Sequence, residues 1–66
     1  MRDKIKKALS SKYEAQMEEA MLNIEVYMTN PAGIGEHPEI IEAIDSQIAK
    51  WTEGKEKLEA LMFIND

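Results

Sequence analysis

The 66-residue chain predicts an all-α fold, an antiparallel two-helix hairpin that dimerises into a four-helix bundle. Three observations lead there. Two long stretches, about 3–29 and about 38–64, are rich in helix formers, with apolar residues spaced three and four apart. One short stretch between them, TNPAGIGEHPE at 29–39, holds both prolines, two of the three glycines and the single histidine. The chain also carries more apolar surface than two facing helices can cover, and a large exposed apolar patch marks an interface.

The first helix contains neither Gly nor Pro. Tyr13, Met17, Ala20, Met21, Ile24, Tyr27 and Met28 form its broad apolar face. Upstream, Ile5, Leu9, Tyr13 and Met17 step by four, a drift from a strict heptad that relaxes any supercoil there. A smaller apolar line, Ala15, Leu22 and Val26, runs along the back.

The second helix shows a heptad seam: Ile41, Ile44, Ile48, Trp51, Lys55, Leu58 and Met62 alternate steps of three and four, with Lys55 the one polar member. Ile40 and Leu61 widen it, and Glu42, Asp45, Glu53, Glu56 and Glu59 make the opposite face. Gly54 inside this helix costs about 1 kcal/mol against Ala; it reads as a tolerated surface glycine rather than a close-approach site.

The connection, about 30–37, is a hard stop. Asn30 precedes Pro31 and so avoids the α region. Gly33 and Gly35 can adopt positive φ cheaply. Ile34 suits an apolar plug between the helix ends. His37 can cap the second helix, with Pro38 in its first turn and Glu39 and Glu42 favouring its dipole.

Sixty-six residues make a single domain, 1–66, with a marginal core. The absence of cysteine excludes disulfides and thiolate zinc sites, leaving association with another chain as the route to stability. Two hairpins facing each other supply it, most simply as a homodimer. The expected oligomer interface is Tyr13, Met17, Ala20, Met21, Ile24, Ile41, Ile44, Ile48, Trp51 and Leu58.

Net charge is −5, unevenly spread. Residues 1–12 carry Arg2, Lys4, Lys6, Lys7 and Lys12 against Asp3, whereas 13–49 hold eight acids and no base. An acidic middle argues against nucleic acid, whose phosphates need Lys and Arg. The lopsided charge also permits an antiparallel dimer, each basic end beside the partner's acidic end. No run approaches the ~18 apolar residues of a membrane span, and no apolar run follows the basic start as in a signal peptide. The expectation is a soluble cytoplasmic protein without a membrane partner.

No catalytic residue, cofactor or metal ligand is assigned. His37 with Glu36 and Glu39 offers acid–base or metal-ligating groups, but no second histidine or cysteine supports them. Ser10 and Ser11, the nearest nucleophiles, belong to the other end of the hairpin. Gly33-Ile34-Gly35 before a helix start resembles an anion loop in part, yet Glu36, Glu39 and Glu42 repel anions. The loop reads first as structure and second as a recognition tip for a protein partner. An anion- or metal-binding module centred on it is the alternative.

Asn30, Pro31, Gly33, Ile34, Gly35, Glu36, His37 and Pro38, with the isoleucine-rich run at 40–44 behind them, resemble the loop of small uncharacterised tailed-phage proteins, including those of marine cyanophages. The resemblance covers about a quarter of the chain. It implies a phage or marine origin, an accessory role in the host cytoplasm, and more weight on the loop as a recognition tip; it brings no activity. The functional expectation is a non-enzymatic interaction or accessory protein, presenting its loop and acidic surface to a protein partner. If the partner is a host protein, the run from Glu14 to Asp45 would serve as an acidic decoy for a basic surface, since 13–49 hold no base. Reversing Glu36, Glu39 and Glu42 to Lys would then abolish binding.

Overall fold

The computed structural model describes residues 1–30 and 39–64. The expected turn residues Pro31, Gly33, Ile34, Gly35, Glu36, His37 and Pro38 lie outside the described residues. Two helices account for nearly all the rest: α1, Arg2–Thr29, and α2, Ile40–Met62. No strand occurs among the described residues. The helices pack against each other along their length. Cross-helix bonds link Lys6 to Ile64, Gln16 to Lys50 and Asn23 to Gln47. One number rises as the other falls, so the pair is antiparallel and the molecule is a rod of 48 × 15 × 13 Å.

Neither helix has a side-chain N-cap bond. At the C-terminal ends, the Thr29 hydroxyl donates to the Glu25 carbonyl at 2.9 Å and backbone bonds close the rest. The Asn30 N–H donates to the Val26 carbonyl at 2.8 Å, and the Phe63 and Ile64 N–H groups donate to Ala60 and Leu61 at 3.1 and 3.2 Å. Helix α2 starts at Ile40 with Glu39 as its N-cap residue. The expected cap at His37 and start at Pro38 fall outside the described residues.

The contact line between the helices differs from the expected one. On α1 it runs through Leu9, Tyr13, Gln16, Ala20, Asn23 and Tyr27, all half-buried or buried. On α2 it runs through Ile40, Ile44, Gln47, Trp51, Gly54, Leu58 and Leu61. Both series alternate steps of four and three, as a helical seam requires. The expected α2 seam shares Ile44, Trp51 and Leu58 with it. Its other members do not belong: Ile41, Ile48 and Met62 are 74%, 49% and 78% exposed, and Lys55 is exposed too. Glu53, expected on the far face, sits beside the seam and bonds across it.

Small residues explain the shift. Ala20 is fully buried, and Gly54 is buried opposite Tyr13 and Met17. A Cβ at Gly54 would lie 2.9 Å from Met17 Cγ and 3.2 Å from the Tyr13 carbonyl oxygen. Gly54 is therefore a close-approach site, and its reading as a tolerated surface glycine is overturned. With a glycine there the backbones come together, and the bulky isoleucines are left on the flank.

Candidate functional site

The two long sides of the rod differ in chemistry. One side is closed by polar bonds. Gln16 Nε2 donates to the Lys50 carbonyl at 2.9 Å and to Glu53 Oε1 at 3.0 Å. Asn23 Nδ2 donates to Gln47 Oε1 at 3.1 Å. Lys50 pairs with Glu19, and Lys57 lies over the Tyr13 ring, 5.8 Å from its centroid. Exposed ion pairs are each worth little. The side-chain amides fix register more than they add energy, because their partners are placed at defined levels of the other helix.

Glu53 reports on this side. The Gln16 hydrogen bond, then the Lys57 hydrogen bond and charge, hold its carboxyl below its ordinary value of 4.5. A depressed carboxylate pKa stabilises the fold above the unfolded value, and that contribution is lost as pH falls through the folded one. Thermal midpoints measured from pH 7 downward should therefore drop below about pH 4.5. Gln16→Ala should flatten that drop and move the Glu53 carboxyl titration, followed by NMR, back up.

The other side is apolar and open. On α1, Ser10, Glu14, Met17, Met21, Ile24 and Met28 follow one another in steps of four and three. On α2, Ile41, Ile44, Ile48, Trp51, Lys55, Leu58 and Met62 do the same in steps of three and four. Between these lines lies an open groove of about 360 Å³, lined by Glu14, Met17, Glu18, Met21, Trp51 and Leu58. Along the two lines Met21, Met28, Ile41 and Ile48 remain 43%, 64%, 74% and 49% exposed. Each helix thus carries a second heptad line turned to the open side; on α2 it shares Ile44, Trp51 and Leu58 with the hairpin seam and adds the exposed Ile41, Ile48, Lys55 and Met62.

No protein-family model, curated protein or solved structure matches this chain. Its own surface therefore carries the functional reading.

The expected interface residues separate on this geometry. Ala20 lies inside the hairpin, with no surface left to offer a second chain. Tyr13 is on the seam and packs under Lys57. Met17, Ile24, Ile44, Trp51 and Leu58 are half-buried, and Met21, Ile41 and Ile48 are exposed on the open side. Met28 and Met62 extend the same side, at 64% and 78% exposure, and were not included in that set. The signal for them was present, since Met28 follows Met21 by seven and Met62 ends the α2 line. Leu22 and Val26 are exposed elsewhere on α1, as the back line expected.

Asn30 is exposed at the end of α1; the rest of the expected recognition loop is outside the described residues. Among the described residues no group of three or more His, Cys, Asp or Glu is placed to hold a metal ion. No helix among them is long and apolar enough to cross a membrane.

Proposed function

We propose that this chain is a non-enzymatic helical interaction protein whose hairpins pair through their open apolar sides into a four-helix bundle. The pair then presents the connection between the helices and the acidic outer surface to a protein partner. The observation that carries this is the second heptad line on each helix. A free-standing hairpin needs one such line per helix, whereas a helix in a four-helix bundle faces two neighbours and needs two.

Size supports the same reading. The open lines, residues 10–28 and 41–62, run about 30 Å at the 1.5 Å helical rise, and with the 15 Å width of the rod give roughly 450 Å² of projected face per copy, the size of a small interface. Stability does too: within one hairpin only Ala20 and Leu61 are buried apolar residues among those described, a thin core for a free-standing domain. The loop's resemblance to tailed-phage proteins suggests an infected bacterial cell as the setting.

The test is thermal melting by circular dichroism over a hundredfold range of protein concentration. Coupled folding and pairing predict a midpoint that rises steadily with concentration. A midpoint independent of concentration, with full helicity at the lowest, would reject the pairing.

A further inference from the structure

We infer that the two copies pair with their twofold axis along the rod, so that α1 of each lies against α2 of the other and both connections emerge at one end. This rests on the pairing proposed above and adds its orientation.

The register within the hairpin sets the levels. Gly54 abuts Tyr13 and Met17, and Gln16 bonds Lys50 and Glu53. Residues 14–18 of α1 therefore stand level with about 52–56 of α2. The open α1 line contains one charged residue, Glu14, flanked at the groove edge by Glu18. The open α2 line also contains one, Lys55. They are on the same level and on opposite edges of one apolar face.

Two face-to-face arrangements are possible for a twofold pair. With the axis along the rod, each α1 line meets the partner's α2 line at its own level. Glu14 and Glu18 then face the partner's Lys55, and this happens twice. With the axis across the rod, α1 meets α1 in reverse. The middle of Arg2–Thr29 falls near residue 15 or 16, so Glu14 meets the partner's Glu18 and four carboxylates crowd the axis. On the other edge Lys55 meets the partner's Lys55. Like charges brought together at the edge of an apolar interface are strongly disfavoured, and the first arrangement replaces them with opposite pairs.

Lys55 is available for this. Its one ion pair among the described residues is to Glu59 on its own helix, at 3.6 Å and half exposed, a weak exposed pair. Glu14 and Glu18 have no ion pair among the described residues. The basic start of the chain, taken alone, favours the reverse orientation. But Lys4, Lys7 and Lys12 are exposed, and exposed charges are screened over about 8–10 Å at physiological salt. Level, contacting charges outweigh them.

The chain has no cysteine, so a single one can carry a nitroxide label. Thr29→Cys places it at the exposed end of α1. Pulsed electron spin resonance on the labelled full chain then measures the separation between copies. Axis along the rod puts the two α1 helices on a diagonal of the bundle, their axes about 14 Å apart at a ~10 Å interaxial spacing, so the labels stay below about 30 Å. Axis across the rod predicts about 40 Å or more, from a 1.5 Å rise over twice half the helix, and would overturn the orientation while leaving the pairing intact. No dipolar coupling at all, in a sample of full helicity, would overturn the pairing itself and the orientation with it.

Discussion

Replacing Gly54 by leucine is expected to destabilise the fold by about 3 kcal/mol, at the upper end of overpacking costs, and to lower the thermal midpoint by 12 °C or more on the size scaling for small domains. The side chain would have to enter a space already filled by Met17 and bounded by the Tyr13 backbone. Methionine can turn aside; a helix carbonyl cannot move without moving α1. Gly54→Ala is the sharper comparison because two effects oppose each other. Helix propensity favours alanine by about 1 kcal/mol. The contacts at 2.9 and 3.2 Å oppose it, and the steric cost is expected to win, leaving alanine less stable by about 1 kcal/mol. Urea unfolding of both variants measures this. A surface glycine would give the opposite sign for both, each gaining most of the helix-propensity difference from glycine.

The second large effect concerns the open side. Ile48→Glu is expected to weaken self-association by a hundredfold or more, about 3 kcal/mol, because the new carboxylate would be buried without a partner. Ile48 is half exposed in the hairpin itself, so the substitution leaves the seam untouched. Leu22→Glu is the control: Leu22 is 62% exposed and lies off both open lines, so its change should leave association within twofold. Dilution series by analytical ultracentrifugation would separate the two. Equal affinities in both variants would mean that the Ile48 side is not the contact. Because pairing and folding are coupled in this account, the Ile48 variant should also lose helicity on dilution sooner than the parent chain.

The helices themselves were legible from composition and spacing. Their long Gly- and Pro-free or nearly free runs admit few alternatives, and the stop between them is written in Asn30-Pro31 and the residues that follow. The seam was only half legible. Two heptad lines on α2 share Ile44, Trp51 and Leu58, and apolar bulk favours the one with Ile41, Ile48 and Met62. The hairpin uses the other, with Gln47 and Gly54, because a glycine lets the backbones approach and the amides find partners across the seam. A helix-interior glycine that costs about 1 kcal/mol was the one local sign that close approach was needed there. Asn23 opposite Gln47 gave no such sign, since pairing of polar seam residues depends on a register that only the packed helices define. The bulky line, whose Ile41 and Ile48 belong to the expected oligomer interface, is what makes the open side.

The most direct measurement of that claim is absolute mass by multi-angle light scattering across a hundredfold dilution. The account predicts twice the 7.5 kDa chain mass at high concentration, falling only together with helicity. A fully helical species of 7.5 kDa at every concentration would contradict it.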